Sequence, residues 1–247
     1  MIEIHPAHGF LLVNKPTGIS SHACIARIKR VIGKQHKIGH AGTLDPFASG
    51  LLIVGIGRAY TKQLPEIMAY PKEYIAQGQL NLLTDTLDPT GKTVRSEDSS
   101  VSQEQLEAAI ASFGGSYEQT PPAYSALKSG GKRLYRAARE GSLSPEELEK
   151  ITAQKKRTVE LYELTLIALD FPHFTIRARV SRGTYIRSLV NDIAARCDTC
   201  ATTVSLIRTS SGPFSLDNAA SCTAVADYWA EAGTWDSAPF FYTKLPS

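Results

Sequence analysis

Strand-like and helix-like patterns of apolar residues follow one another along this chain without a regular alternation. The apolar runs Gly9–Lys15 and Gly50–Ile56 predict two buried strands, and the alternating segments Glu73–Leu80 and Phe174–Val180 predict two half-buried ones. Several strands follow one another with no helix between them. A doubly wound parallel sheet needs a helix after almost every strand, so this order predicts an α+β fold around a mixed sheet.

Three segments carry the signals of helices. Ser20 offers an N-cap to a helix whose isoleucines recur at helical spacing up to Gly33. Ser102 and Gln105 form the pattern of a capping box before a second helix. Apolar residues at positions i, i+3, i+4 and i+7 predict a third helix over residues 186–193.

The composition is that of an ordinary globular protein. Hydrophobic residues make up 43% of the 247 positions and charged residues 21%, which excludes a disordered or fibrous chain. No linker or repeat divides the sequence, so we expect a single domain over residues 1–247. No apolar run reaches the ~18 residues of a membrane span, and residues 1–6 do not begin a signal peptide. The four cysteines do not form a disulfide framework. We expect a reduced, cytoplasmic protein without a membrane segment.

Positive charge is concentrated in a few segments, although the formal net charge is only +3. Residues 4–44 and residues 171–191 contain lysines and arginines but no acidic residue, and a third basic stripe covers residues 128–139. The tail after Gly212 is acidic. Any one basic segment is more simply interpreted as a solvated surface, but the three together favour a nucleic acid as the partner.

The segment Gly39–Gly50, GHAGTLDPFASG, has the densest concentration of turn residues in the chain. Its glycines allow a close approach of the backbone to a ligand, and Pro46 fixes the turn that displays the carboxylate of Asp45. On composition alone, a structural turn is the favoured interpretation, because Asp-Pro is a common turn pair.

Motifs for metals and nucleotides fail on their spacing. The glycines do not form a phosphate-binding P-loop. Cys197 and Cys200 form a lone pair, whereas a structural zinc site needs about four ligands. Asp85 and Asp88 lie in a loop rich in threonine, proline and glycine, where a role in a turn is favoured over a two-metal site. We therefore expect no metal.

Five motifs that follow one another along the chain together resemble those of one known family. A sixth and weaker match is Leu206-Ile207-Arg208. The five motifs are Leu12-Val13-Asn14-Lys15-Pro16-Thr17-Gly18, Gly39-His40-Ala41-Gly42-Thr43-Leu44-Asp45-Pro46, Lys72-Glu73-Tyr74, Pro121-Pro122-Ala123-Tyr124-Ser125-Ala126-Leu127-Lys128 and Gly183-Thr184-Tyr185-Ile186-Arg187. The chain thereby resembles the bacterial tRNA pseudouridine-55 synthases, the TruB family, over roughly residues 9–214.

The resemblance implies a fold and a domain plan. The implied fold is that of the pseudouridine synthases, a mixed and mostly antiparallel sheet flanked by helices and loops, with a thumb insertion at about 116–157. Many family members continue into an RNA-binding PUA domain, whereas here we expect only a short extension over 215–247. The family commonly has threonine where this chain has Ala41.

The resemblance also implies the reaction. Family members isomerise uridine 55 in the T loop of tRNA to pseudouridine, a rearrangement without gain or loss of atoms, so we expect no cofactor. The implied partner is the T stem-loop of tRNA, and the expected state is a monomer. The essential carboxylate falls on Asp45, which either attacks C1′ of the ribose or removes the C2′ proton; both routes need the ionised form.

Other site residues follow from the same resemblance. Arg187 is expected to pair with Asp45, Tyr74 to stack on the flipped uracil, and Leu206 to form an apolar wall of the base pocket. Alone, Tyr74 is better interpreted as an ordinary strand residue, and Arg187 could instead bind a phosphate. His40 is expected to stack within the T loop or to hold its own turn.

Five further residues are candidates for RNA binding. Lys15 and Tyr124 are weaker candidates for contacts with the RNA or the pocket. Three basic residues of the thumb are expected to contact phosphates, namely Lys128, Lys132 and Arg133.

Two alternatives remain from the sequence. One is a non-catalytic RNA-binding module on the same fold, and the other is a pseudouridine synthase that acts on a different RNA uridine. The presence of Asp45, Tyr74 and Arg187 argues against a protein that only binds RNA. The Gly39–Gly50 segment and the thumb favour a uridine in the T loop as the target.

Overall fold

A computed structural model describes residues 7–125, 128–129, 132–134 and 142–245. Its secondary structure alternates irregularly, as predicted. The helices within these ranges are α1 (Ser21–Ile32), α2 (Arg58–Thr61), α3 (Leu64–Ala69), α4 (Gln103–Ala111), α5 (Pro145–Ala153), α6 (Ile186–Ala195) and α7 (Cys222–Ala232). The strands are β1 (Gly9–Lys15), β2 (Ile38–His40), β3 (Ser49–Ile56), β4 (Lys72–Leu80), β5 (Leu82–Thr84), β6 (Thr93–Ser96), β7 (Ser116–Gln119), β8 (Lys128–Ser129), β9 (Lys132–Arg133), β10 (Arg157–Asp170), β11 (His173–Val180), β12 (Ala201–Ser211), β13 (Phe214–Ser215), β14 (Ala220–Ser221) and β15 (Phe241–Tyr242).

The chain forms two compact units. The first consists of Met1–Tyr74 together with Leu206–Ser247, and the second of Ile75–Ser205. The predicted single domain over residues 1–247 stays a prediction. No helix in the described part of the chain combines the length and the apolar character that a membrane crossing requires.

The first unit is built on the buried strand β3. Strand β1 lies antiparallel to it, with Gly9 opposite Ile56 and Lys15 opposite Gly50. Strand β2 pairs antiparallel with the end of β3, whereas β12 runs parallel to its beginning. Both directions therefore occur in this part of the sheet, and antiparallel pairs are the more frequent, as predicted. Because all residues of β3 after Ser49 are buried, its apolar run is that of a central strand.

Helix α1 covers this sheet with the face that the isoleucine spacing predicts. Ile25, Ile28 and Ile32 are buried in the core. The Ser20 hydroxyl accepts a hydrogen bond from an amide of the first turn, and Gly33, with φ of 103°, ends the helix. The acidic tail packs into the same core, where the side chain of Trp235 is fully buried. These breakers and caps explain why the predicted helix matches the observed one.

The second unit contains the strands β4, β11, β10 and β7, in that spatial order. Strands β10 and β11 pair antiparallel over most of their length, and β7 pairs antiparallel with the start of β10. Along β11 the apolar residues are buried, whereas Arg177 and Arg179 are exposed, which confirms the predicted cationic face. Helix α6 buries Leu189, Val190 and Ile193, the predicted stripe.

Two details differ from the predictions. The second predicted helix, α4, ends at Ala111 with Ser112 as its cap, before the glycines expected to end it, because the residues after Ala111 form a turn. The segment expected to leave the core at residue 116 begins instead with the sheet strand β7. Parts of the predicted thumb, including residues 135–139 of its basic stripe, lie outside the described residues.

Candidate active site

Asp45 lies in the loop between β2 and β3. The amide of Ala48 donates to the carbonyl of Asp45 at 3.1 Å, and the amide of Gly18 donates to the carbonyl of Pro46 at 2.8 Å. Asp45 is partly exposed, whereas its neighbour Leu44 is buried. The loop is therefore a closed turn in which Asp45 is partly exposed.

Helix α1 holds this loop through its first residue. The buried Ser21 hydroxyl accepts from the amide of Leu44 at 2.9 Å and donates to the carbonyl of the same residue at 3.0 Å. Both backbone groups next to Asp45 are thus satisfied by one side chain, which restricts the position of the carboxylate.

A buried arginine holds the loop from its other side. Arg208, only 2% exposed, donates from Nε to the carbonyl of Leu51 at 2.7 Å and from its guanidinium to the carbonyl of Gly42 at 3.2 Å. Both carbonyls flank the loop that carries Asp45. The parallel pairing of β12 with β3 brings Arg208 opposite Gly50. The sequence shows Arg208 only as the end of a weak motif, and its role depends on this long-range pairing.

Gly50 makes that close pairing possible. Its φ of 103° favours glycine, and a Cβ at this position would lie 2.4 Å from the carbonyl oxygen of Arg208. At least this glycine of the Gly39–Gly50 segment is therefore needed for the close pairing of β3 with β12, and not only for the approach of a ligand.

Lys15 is fully buried at the end of β1. Its ammonium donates to the carbonyls of Pro16 and Ile19 at 2.8 Å each. Burial lowers the pKa of this ammonium, and nearby negative groups, Asp45 among them, oppose the shift. The ammonium thereby holds the turn after β1, and the predicted contact of Lys15 with RNA or the pocket stays a prediction.

His40 lies at the end of β2, directly before the loop. Burial, and then the positive charge of Arg208, lower the pKa of its imidazole, so the ring is neutral near pH 7. Its Nδ1 is buried and has no hydrogen-bond partner among the residues that the structure describes. A neutral ring suits stacking better than the binding of a phosphate, and the predicted stacking stays a prediction.

Tyr74 and Leu206 also belong to the first unit. The side chain of Leu206 is buried, and Tyr74 is partly exposed on β4. Strands β4 and β12 are tied together by a hydrogen bond from the Thr209 hydroxyl to the Glu73 carboxylate at 2.7 Å. Leu206 thus lies on the strand that carries Arg208, and Tyr74 lies directly after Glu73. Their contacts with a base stay predictions.

Arg187 lies in the second unit, in the first turn of α6, and is only 3% exposed. Its guanidinium contacts the carboxylate of Asp88 at 3.3 Å and donates to the carbonyls of Thr86 and Tyr124, the latter at 3.0 Å. Its pairing with Asp45 stays a prediction. Sequence reasoning missed Asp88, since its Thr/Pro/Gly-rich surroundings indicate only a turn.

The loop around Asp88 is ordered by its own side chains. One oxygen of the Asp88 carboxylate accepts from the hydroxyls of Thr86 and Thr90 and from the amide of Thr90. The Tyr124 hydroxyl donates to Asp85 at 3.2 Å. Tyr124 therefore helps to form the surroundings of Arg187, and its contact with RNA stays a prediction.

The basic residues of the thumb are described only by their backbone. Lys128 pairs with Arg133, and Ser129 with Lys132, in the two-stranded sheet of β8 and β9. The side chains of these residues lie outside what the structure describes.

The cysteines show packing, with no sign of a metal centre. Within the described ranges, no group of three or more His, Cys, Asp or Glu residues is arranged to hold a metal ion. Cys200 is buried, and the Cys197 thiol contacts a backbone carbonyl. Cys24 of α1 and Cys222 of α7 are both buried, with their sulfur atoms 2.7 Å apart.

Solved structures resemble the whole chain. A crystal structure of the archaeal box H/ACA sRNP Nop10-Cbf5 complex has a TM-score of 0.69 at 25% identity and covers 98% of this chain, which in turn covers 62% of that one. A Cbf5-Nop10-Gar1 complex gives a TM-score of 0.72 at 26% identity, with the same coverage of both chains. The mixed, mostly antiparallel sheet and these likenesses define a protein of the pseudouridine synthase fold.

Sequence comparison identifies the family. Residues 29–186 match the N-terminal domain of the TruB family pseudouridylate synthases. A tRNA pseudouridine synthase B of Geotalea uraniireducens is 40% identical over 90% of this chain, and one of Desulfotalea psychrophila is 41% identical over 85% of it. The chain belongs to the TruB family. It spans 67% of the first relative's length and 85% of the second's.

Proposed function

We propose that the protein is a tRNA pseudouridine synthase that isomerises uridine 55 in the T loop of tRNA. The observation that carries this proposal is the Asp45 loop, because Asp45 is partly exposed while Ser21 and Arg208 hold the backbone around it. The family membership and the names of the relatives support the same substrate. We propose that the protein acts in the cytoplasm, as a monomer, on the T stem-loop.

The chemistry needs one carboxylate and no added atoms. The C1′–N1 bond of the uridine breaks, the uracil turns, and C5 bonds to C1′; the proton on C5 is lost, and N1 gains one. The ionised carboxylate of Asp45 starts this sequence at the ribose, either as a nucleophile at C1′ or as a base at C2′. Ser21 holds both backbone groups of Leu44 at 2.9–3.0 Å, so the backbone next to Asp45 is fixed before the substrate binds, which lowers the entropic part of the barrier.

Three further residues complete the proposed site, namely Arg187, Tyr74 and Leu206. Arg187 compensates the charge of Asp45 in the closed pocket, since an ionised carboxylate without water has to be paired. Tyr74 stacks on the displaced uracil, and Leu206 closes the pocket with an apolar wall. Because stacking in the T loop hides the target base, the enzyme has to flip it out, at a cost of a few kcal/mol.

Contacts with phosphates offset the cost of flipping. Helix α1 begins at Ser21, which holds the Asp45 loop, and its exposed face carries Arg27 and Arg30, with Lys34 just beyond its end. None of these three cations forms an ion pair within the described ranges. They are therefore available for phosphates of the tRNA backbone. The basic residues of the thumb, Lys128, Lys132 and Arg133, supply further contacts.

Release of tritium from C5 tests the proposal directly. A tRNA transcript made with uridine that carries tritium at C5 loses the label to water when C5 bonds to the ribose. We expect label release by the wild-type protein without any cofactor, and none by the Asp45→Asn variant, which keeps the shape but removes the charge. Binding of tRNA by this variant should stay close to that of the wild type.

Two controls separate the alternatives. A transcript with cytidine in place of uridine 55 should release no tritium if the T-loop uridine is the target. Equal release from that transcript would indicate another uridine. Tight tRNA binding with no release by the wild type would indicate a non-catalytic RNA-binding module.

A further inference from the structure

The first turn of helix α6 is capped by a side chain from the strand β7. Tyr185 occupies the N-cap position, and its own side chain makes no capping hydrogen bond. Instead, the Gln119 side chain of β7 accepts from the Tyr185 amide at 2.8 Å and donates to the Tyr185 carbonyl at 3.0 Å. Gln119 is fully buried. Both backbone groups of the N-cap residue are thus held by one amide.

This arrangement replaces an ordinary capping box. In a capping box, the side chain of the third helical residue binds the N-cap amide. Here the third residue is Ser188, and its hydroxyl donates to the carbonyl of Thr120 at 2.9 Å. Gln119 and Thr120 are consecutive, so the end of β7 holds the residues on either side of position 187.

The side chain at position 187 depends on that turn. The Arg187 guanidinium has three acceptors, at Asp88, Thr86 and Tyr124, in a site that is almost free of solvent. A shift of the helix start by a fraction of an ångström would move the guanidinium away from several of these acceptors at once, because hydrogen bonds weaken steeply with distance and angle.

Gln119 and the Thr120 carbonyl, which bind Tyr185 and Ser188, together form a clamp on the start of α6. Further contacts hold this clamp in place. The Gln119 amide also donates to the Tyr117 hydroxyl, which donates to Asp192 at 3.0 Å one turn further along α6. The Arg157 guanidinium lies 4.8 Å above the ring of Tyr185. Gln119 is therefore part of a connected network between β7 and α6, and its side chain has one orientation in which all the bonds form.

We propose that Gln119 is a positioning residue for Arg187 in the isomerisation of uridine. The proposal rests on the proposed function, in which Arg187 compensates the charge of Asp45. Gln119 touches neither the substrate nor the carboxylate; it acts by fixing the first turn of α6.

Three variants test whether Gln119 positions Arg187. Gln119→Leu keeps the size of the side chain but removes the three hydrogen bonds. Ser188→Ala removes the other half of the clamp with the loss of a single oxygen, and it serves if Gln119→Leu folds poorly. Gln105→Leu is the matched control. It also removes a glutamine side chain that accepts from the backbone amide of an N-cap residue, in this case Ser102 of α4.

The readout is the single-turnover rate on tRNA, measured beside tRNA affinity. We expect Gln119→Leu to slow the reaction by about tenfold to a hundredfold and Ser188→Ala by less, with tRNA affinity unchanged, because misplacement of a group affects the reacting geometry more than binding. The control should keep the wild-type rate. An unchanged rate in both clamp variants, or an equal loss in the control, overturns the proposal.

A double-mutant cycle separates positioning from a general loss of stability. In an Arg187→Lys background, Gln119→Leu should cost little further rate, because its effect acts through the arginine. Equal costs in both backgrounds contradict the proposal. If the wild type makes no pseudouridine, the proposed function fails, and hydrogen exchange decides on the clamp: the Tyr185 amide should exchange faster in Gln119→Leu but not in Gln105→Leu. An unchanged Tyr185 amide refutes the clamp itself.

Discussion

Replacement of Asp192 by asparagine should stabilise this protein in a pH-dependent manner. Asp192 lies on α6, and its carboxylate accepts a hydrogen bond from the Tyr117 hydroxyl at 3.0 Å. Burial raises its pKa from 3.8 to about 6, against the smaller opposing effects of the Tyr117 hydrogen bond and the charge of Arg196. The folded protein therefore contains a carboxylate that resists ionisation.

The sign and size of the effect follow from this shift. Because the folded form binds the proton more tightly than the unfolded form, stability falls as pH rises from about 4 to about 6 and stays lower above that range. At 1.36 kcal/mol per pKa unit, the full shift is worth about 3 kcal/mol. Asparagine keeps the acceptor for Tyr117 and carries no charge. We expect Asp192→Asn to be more stable than the wild type by about 1–3 kcal/mol at pH 7.5, with no difference near pH 4.

Urea denaturation at a series of pH values measures this difference. The difference between variant and wild type isolates Asp192, since all other titrating groups are shared. Asp170→Asn, at an exposed carboxylate that ends β10, serves as the control and should show no such trend. If the stability difference between Asp192→Asn and the wild type is constant with pH, or grows on acidification, then the pKa of Asp192 is not raised in the folded protein.

Two further predictions concern the loop and the helix beside it. Gly50→Ala should destabilise the protein by more than about 1 kcal/mol, measured by urea denaturation, because the new Cβ meets the backbone of the neighbouring strand at a positive φ; unchanged stability would contradict the close pairing. The combined replacement of Arg27, Arg30 and Lys34 by alanine should lower the slope of log K for tRNA against log salt by about one unit per phosphate contact. Arg95→Ala, which removes an exposed arginine already paired with a carboxylate, should leave the slope unchanged.

Local patterns were sufficient to predict several of the main helices and strands. The helix α1 matches its prediction because Ser20 and Gly33 mark its ends and the isoleucines mark its buried face. The strand β11 matches because its apolar and cationic residues alternate with the period of a strand. These features depend on neighbours in sequence, so a sequence alone is enough to show them.

The supports of the site could not be predicted in the same way. Arg208 reaches the Asp45 loop only because β12 pairs with β3, across about 160 positions of the chain. Asp88 meets Arg187 across 99 positions, and Gln119 meets Tyr185 across 66. An arginine, an aspartate in a turn and a glutamine in a strand have no distinctive local pattern, so their roles follow only from the tertiary structure.

A map of pseudouridine at nucleotide resolution shows directly whether the protein isomerises uridine 55 through Asp45. An unmodified tRNA transcript is incubated with the wild-type protein, and separately with the Asp45→Asn variant, in buffer without cofactors. We expect complete conversion at position 55 by the wild type and no pseudouridine at any position with the variant. Modification only at another position, or conversion at position 55 by the Asp45→Asn variant, would contradict this expectation.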